Sequence, residues 1–324
     1  MINSSCSHEW WQDMHKLNHA FDRSLPAFSL GLSQFSPCLA SYCPLDSLLR
    51  GSTLNVKETC AYPGFNHYST RLQCQAKESA VHRSSSSFDP VEKDEWYAKG
   101  VAYWEGAEAS VNSVLGGYGQ INEQDVTVSN EFLTEVLSNM PGVFLQSKHL
   151  VALDCAAGIG RVTEGVLLRH FHEVDLVEPV SHLLEAAKSN LGKRSSSLSV
   201  LGRAINFYCE PLQEFLPEAN RYDVIWVQWC IMHLTDKDVV DFFKRAKAGL
   251  KSNGFFIVKE NISKHGIIID KDDSSVTRSD AHFSALFEQA GLFLYKTKAQ
   301  RGFPRELFPV KMYALTTKLL EDRR

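Results

Sequence analysis

Apolar residues take two regular spacings from about Asp89 onward, and the two spacings alternate along the chain. Trp96, Tyr97, Val101 and Trp104 recur at helical intervals, which predicts a helix over Pro90 to Glu108. Leu115-Gly116-Gly117-Tyr118-Gly119 breaks that pattern, and Asn130 to Met140 predicts a second helix stopped before Pro141-Gly142. Short continuous apolar runs follow, separated by helical stretches. Strands are expected at Leu150–Ala156, Val174–Val177, Ile205–Cys209, Tyr222–Trp229 and Phe255–Lys259, with later ones at Leu292–Lys296 and Lys311–Thr316. Helices are expected at Arg161–His170, at Ser181–Leu191 capped by Ser181, at Asp236–Leu250 ended by Ser252-Asn253-Gly254, and at Ser279–Ala290 stopped by Gly291. This rhythm predicts an α/β fold with a doubly wound, mostly parallel sheet, because strands buried on both faces read as unbroken apolar runs. A closed eight-stranded barrel needs more repeats than the chain supplies. In an open sheet the ligand sits beyond the carboxyl ends of the strands, so the chemistry is expected there.

Neither spacing persists in the first 87 residues, which are rich in Ser and carry the run Ser84-Ser85-Ser86-Ser87. Residues 1–88 therefore read as a low-complexity extension without regular structure, and 89–324 as the folded domain. A transit peptide is the rival reading of the extension, but acids and bases nearly balance there and Glu9 and Asp13 come early. Five of the eight cysteines lie in this extension; Cys155, Cys209 and Cys230 sit in apolar runs and read as reduced core residues. No Cys-x-x-Cys pair occurs, so neither a zinc site nor a disulfide framework is expected. A formal net charge of -4 argues against a broad nucleic-acid footprint, and no apolar run is long enough to predict a transmembrane helix.

The first strand of the alternating region opens into Ala156-Ala157-Gly158-Ile159-Gly160-Arg161. Small residues there let backbone amides approach a ligand, and the next helix offers its positive end. Such a turn is a weak signal by itself. Glu178, twenty residues beyond Gly158, ends the second strand, where a carboxylate can accept both ribose hydroxyls of a nucleoside. Arg161 is placed to pair with a carboxylate through two parallel bonds. Asp154, two residues ahead of the small residues, suits a cationic ligand better than the pyrophosphate of NAD. S-adenosylmethionine carries a sulfonium, an amine and a carboxylate, so Asp154 and Arg161 can serve opposite ends of its methionine part. The rival role for Asp154 is a cap on the following turn.

Several segments in this order resemble the protein α-N-terminal methyltransferases: Leu115-Gly116-Gly117-Tyr118-Gly119, Leu153 through Arg161, Tyr222-Asp223-Val224-Ile225-Trp226-Val227-Gln228-Trp229, His233-Leu234-Thr235-Asp236, Lys259-Glu260-Asn261, and Asp270 through Val276. The resemblance spans about Glu92 to Leu315. It implies a class I, Rossmann-like seven-stranded sheet with two extra N-terminal helices and a substrate-binding hairpin after the fifth strand. It implies that Trp104, Gly158, Gly160, Arg161, Glu178, Leu212, Gln213 and Gln228 join Asp154 around S-adenosylmethionine. It further implies that Leu115, Gly116, Ile121, Trp229, Asn261, Asp270, Asp273 and Ser275 line a peptide site, with Asp273 and His233 facing the substrate amine as catalytic groups. Ala156 stands where the family usually has Gly, Glu178 where it usually has Asp, and Phe308 where an aromatic hydroxyl is common.

The implied reaction is mono-, di- or trimethylation of the free α-amine of proteins beginning Xaa-Pro-Lys or Xaa-Pro-Arg after methionine removal; a terminal Pro stops at two methyl groups. An α-amine has a reference pKa near 8, so a useful neutral fraction exists at physiological pH and only a modest base is required. His233 or Asp273 can take that role. Trp229, at the ligand end of its strand, suits a proline ring, while Trp226 alternates with Val224 and reads as core. Asp270, Asp272 and Asp273 suit the basic third residue, although an acidic segment is more often a solvated turn and a single His more often structural. Alternatives are a small-molecule methyltransferase and an inactive binding module. No direct nucleic-acid or membrane partner is expected, and the family implies a monomer in cytoplasm and nucleus.

Overall fold

The computed structural model describes residues 81–83, 87–139, 149–192 and 202–319. Within them lie ten strands, β1 (Val81–Arg83), β2 (Val151–Cys155), β3 (Glu173–Val177), β4 (Arg203–Tyr208), β5 (Tyr222–Gln228), β6 (Leu250–Ser263), β7 (Ile267–Asp270), β8 (Ser275–Ser279), β9 (Phe293–Ala299) and β10 (Val310–Thr316). The helices are α1 (Lys93–Glu105), α2 (Val111–Val114), α3 (Asn122–Asn139), α4 (Arg161–Gly165), α5 (Ser181–Gly192), α6 (Asp236–Ala246) and α7 (Asp280–Gln289).

Strands β4, β3, β2, β5 and β6 lie side by side in parallel, and β10 then β9 extend the row antiparallel to their neighbours. This is the seven-stranded, mostly parallel sheet that the alternation predicted. Its two faces carry separate cores, as the period-two geometry of a strand requires. Val151, Leu153 and Cys155 of β2 join Val239, Phe243 and Phe287 on one face. Ala152 of β2 and Trp226 of β5 join Phe132, Leu133 and Val136 of α3 on the other. The last residues of β6, Ile262 and Ser263, pair with β8, which is hairpinned to β7. A hairpin after the fifth strand of the row is thus present.

Several boundaries differ from the sequence expectation for physical reasons. Helix α3 begins at Asn122 rather than Asn130 because its first turns bury polar groups, Asp125 and Ser129, which apolar periodicity does not register. The helix expected over Arg161–His170 stops at Gly165 and continues as a 3-10 turn over Leu167–Arg169. Strand β6 is far longer than Phe255–Lys259, since Lys259, Glu260, Asn261 and Ser263 are buried polar residues. Cys209 is exposed, unlike the buried Cys155 and Cys230, because it lies just past β4 at the outer edge of the sheet. The stretch expected to lack regular structure is corrected at its end: β1 pairs with β7, and Phe88 is buried against Trp96, Ile267 and Ile269. Residues 1–80 and the Pro141-Gly142 stop lie outside the described residues.

Candidate active site

The loop after β2 is built from left-handed backbone. Ala156, Gly158 and Gly160 have φ of 51°, 54° and 78°. For Ala156 that conformation costs roughly 1–2 kcal/mol, which explains why glycine is the easier residue there. The three residues turn the chain back over the ends of β2 and β3 and open a cavity. Ala156, Gly158, Trp104, Asp154, Arg161, Glu178, Leu212, Gln213 and Gln228 all line it. Gly160 does not: a Cβ there would sit 3.1 Å from Leu191 Cδ1 and 3.2 Å from Ala187 Cβ, so it serves the close packing of α4 on α5.

Glu178 ends β3 with both oxygens anchored, accepting from the Gly158 amide at 2.9 Å and from the Val180 amide at 2.9 Å. Burial pushes its carboxyl up to about 7 against the pull of those two amides. One lone pair on each oxygen remains for a diol, as the ribose expectation requires. Asp154 caps the following turn and also lines the cavity. Its Oδ2 accepts from the Thr163 amide at 3.0 Å and the Thr163 hydroxyl at 2.6 Å. Burial raises it to about 6, with the Thr163 bonds and the Arg161 charge opposing.

Arg161 and Gln228 are more constrained than the sequence implied. Arg161 Nη1 donates to Asp125 Oδ2 at 2.6 Å and to Asn122 Oδ1 at 3.1 Å. Gln228 Nε2 donates to both Asp125 oxygens, at 3.1 and 3.0 Å, and its Oε1 accepts from Trp226 at 3.0 Å. Gln228 therefore lines the cavity with an amide whose two ends are already bonded to protein.

A second, apolar cluster adjoins this cavity. Leu115, Ile121 and Leu307 are buried together, with Val114, Tyr118, Trp229 and Phe303 packed against them. Val114 and Trp229 line the cavity as well, so Trp229 stands at the junction. The residue is held at φ 52° just past β5, which swings its ring out of the sheet. Its indole N–H is buried without a hydrogen-bond partner among the described residues, and the guanidinium of Arg161 and ammonium of Lys259 lie 5.6 and 6.0 Å from the ring. Gly116 is left-handed at φ 63° beside Leu115. Phe308 is half-buried; Leu307 and Phe303 supply the apolar contact from that segment.

The β7–β8 hairpin brings in the acids. Asp270 closes β7 half-buried and accepts from the Asp272 amide at 2.9 Å; Asp272 points to solvent. Asp273 is 3% exposed, and neither carboxyl oxygen makes a hydrogen bond within the described residues. Burial, reinforced by the charges of Asp270 and Asp272, raises it to about 7, which the nearby Ser275 hydroxyl only partly offsets. Ser275, which begins β8 directly after this turn, and Asn261 of β6 are both buried.

Helix α1 covers the turn from the other side. Trp96 Nε1 donates to the His233 carbonyl at 2.9 Å, and Trp104 Nε1 lies 3.4 Å from His233 Nε2. An indole N–H can only donate, so Nε2 accepts and the proton sits on Nδ1, which faces the Ser274 carbonyl at 3.0 Å. Burial lowers the His233 pKa, in keeping with a neutral ring.

The sequence assigned no role to four buried ionic residues around the site, although Lys259 and Glu260 lie in one of the segments that carry the resemblance. Glu260 Oε1 accepts from the amides of Cys230 and Ile231, at 2.9 and 3.1 Å, and so braces the turn that carries His233. Arg278, fully buried on β8, reaches the Ile231 and Leu234 carbonyls and Asp236, tying the hairpin to that same turn. Asp125 and Lys259 form an ion pair beneath Trp229. The available signal was charge within otherwise apolar or helical runs, which has meaning only when the partner is known to be near.

A doubly wound sheet whose sixth and seventh members run antiparallel and parallel to β6, with a carboxylate at the end of β3 and a left-handed turn after β2, defines a class I S-adenosylmethionine-dependent methyltransferase. The cavity fits that cofactor, since it joins a diol-accepting carboxylate, an arginine for a carboxylate and an apolar wall from Val114, Ile159 and Leu183. The family described as AdoMet dependent proline di-methyltransferase matches residues 92–316, and the chain belongs to it. An Arabidopsis thaliana α N-terminal protein methyltransferase 1 is 56% identical over 232 residues, covering 70% of this chain and 82% of the relative. A Xenopus tropicalis N-terminal Xaa-Pro-Lys N-methyltransferase 1 is 42% identical over 225 residues, covering 68% and 95%. A solved Leishmania major S-adenosylmethionine-dependent methyltransferase superposes with a TM-score of 0.60 at 38% identity, covering 68% of this chain and 83% of that one.

Proposed function

We propose that this protein methylates the free α-amine of proteins that begin Xaa-Pro-Lys or Xaa-Pro-Arg. The observation that carries the reading is the Asp273 carboxylate, which is buried with neither oxygen hydrogen-bonded among the described residues, on a turn whose next residue, Ser274, lines the same cavity as Trp229. Burying a carboxylate unpaired costs stability, so such a group is poised for an incoming donor. A protein N-terminus brings an ammonium, and the third residue brings a second cation that Asp270 and Asp272 attract.

Bound S-adenosylmethionine supplies an electrophilic methyl on its sulfonium. The chain's own residues do the rest. Glu178 and Leu212 hold the nucleoside end, and Arg161 the carboxylate. Trp229, Leu115 and Ile121 receive the proline ring, and Asn261 and Ser275 orient the peptide. Asp273 accepts the proton of the amine, since its pKa near 7 lies just under the reference value of an α-amine. His233 orients rather than deprotonates, because its single acceptor nitrogen is turned to Trp104 and its N–H to Ser274. Positioning supplies most of the rate, as expected of an in-line displacement on an already activated methyl.

The test is mass spectrometry of a short peptide beginning Ser-Pro-Lys, incubated with the protein and S-adenosylmethionine, beside the same peptide N-acetylated. Stepwise methyl gains on the free peptide alone are expected. Gains on both would move the chemistry to lysine; gain on neither, with cofactor binding intact, would overturn the substrate class.

A further inference from the structure

Four polar side chains from four different elements meet beneath the junction of the cavity and the apolar cluster. Asp125 of α3 is 1% exposed. It accepts from Arg161 of α4, from Gln228 of β5 and from Lys259 of β6. The Lys259 ammonium, itself fully buried, also donates to Ser129 Oγ at 2.9 Å and Gln300 Oε1 at 2.7 Å. Two cations thus share one carboxylate, and both cations lie against the ring of Trp229.

We propose that Asp125 is a positioning residue that aims the Arg161 guanidinium at the cofactor's amino-acid end and steadies Trp229 through the same two cations. The argument is geometric. Asp125 engages one edge of the guanidinium, Nη1, and so fixes the direction of the remaining donors. Asn122, which also accepts from Nη1, is uncharged and its bond is longer, at 3.1 Å against 2.6 Å. A ligand carboxylate brought to Arg161 meets a guanidinium that shares the Asp125 carboxylate with Lys259, in a buried setting where such an interaction is strong. Removing Asp125 leaves two neighbouring cations to repel each other and frees Arg161 to turn away from the ligand.

The proposal rests on the reading that Arg161 receives the cofactor's carboxylate, and two ligands separate the two ideas. S-adenosylhomocysteine carries the amino-acid end; 5′-methylthioadenosine has the same nucleoside without it. Binding of each to the full chain is measured by calorimetry for wild type and Asp125→Asn, with melting temperature recorded alongside. Asp125→Asn is expected to weaken S-adenosylhomocysteine by roughly tenfold or more, the scale of one charge-assisted bond, and to leave 5′-methylthioadenosine unchanged. An equal loss for both ligands would mean that Asp125 is merely structural and would overturn the proposal, as would no loss for either. Wild-type protein that binds both ligands equally would overturn the placement of the carboxylate on Arg161, and the proposal with it. If Asp125→Asn does not fold, Asp125→Glu keeps the charge and displaces the guanidinium. It should again weaken only the amino-acid-bearing ligand, and unchanged binding of both would overturn the proposal.

Discussion

Asp273→Asn should stabilise the ligand-free protein while removing its activity. The carboxyl is buried, has no hydrogen-bond partner among the described residues, and sits beside two further acids, which together raise it from 3.8 to about 7. An acid whose folded pKa is raised costs stability once the pH passes its unfolded value. The cost begins near pH 4, grows until the pH reaches about 7, and is constant above. A shift of that size corresponds to a ceiling of about 4 kcal/mol, which local relaxation and water entry halve to about 2 kcal/mol. For a domain of this size, that is about 4–8 °C in melting temperature. Asparagine has nearly the same shape and no charge to desolvate. The assay is a thermal melt of wild type and variant, without ligands, at pH 8 and near pH 4. The variant should melt higher at pH 8, and the gap should close as the wild-type carboxyl protonates in both states. A variant no more stable than wild type at pH 8, or a gap that persists at low pH, would refute the account of Asp273 as an unpaired buried acid.

Three further outcomes follow from the same geometry. Peptide methylation should rise with pH through about 7, as Asp273 loses its proton in the free enzyme and the substrate amine becomes neutral; a kcat/KM profile flat from pH 6 to 8 would contradict Asp273 as the acceptor. Ala156→Gly should raise stability by about 1 kcal/mol, because it relieves a left-handed alanine at φ 51°, and denaturant unfolding would show it as a higher midpoint at unchanged slope. Thr163→Val removes the 2.6 Å bond to Asp154 but keeps the backbone bond, so a loss of about 1–3 kcal/mol is expected, with weaker cofactor binding at neutral pH as Asp154 becomes harder to ionise.

The sequence alone determined the architecture. Apolar runs such as Val224–Val227 and helical spacing such as that over Asp236–Ala246 report burial directly, and burial of this kind is local to each element, although the helix ends at Ala246, short of the expected Leu250, which begins β6. It also exposed the turn after β2 and the acid after β3, since both belong to short segments with a fixed spacing, and the resemblance added the hairpin acids and Trp229. Tertiary structure decided what these residues are free to do. Arg161 and Gln228 proved to be held by Asp125, and His233 to be turned between Trp104 and Ser274. Of the three hairpin acids that the sequence put forward together, Asp273 is the one whose carboxyl oxygens make no hydrogen bond among the described residues. Asp125, Lys259, Glu260 and Arg278 were given no role because a buried charge is stable only through partners supplied by other elements, and those partners lie 29 to 134 residues away along the chain. Hydrophobic burial is written in periodicity; the pairing of buried charges is written only in the contacts that folding brings together.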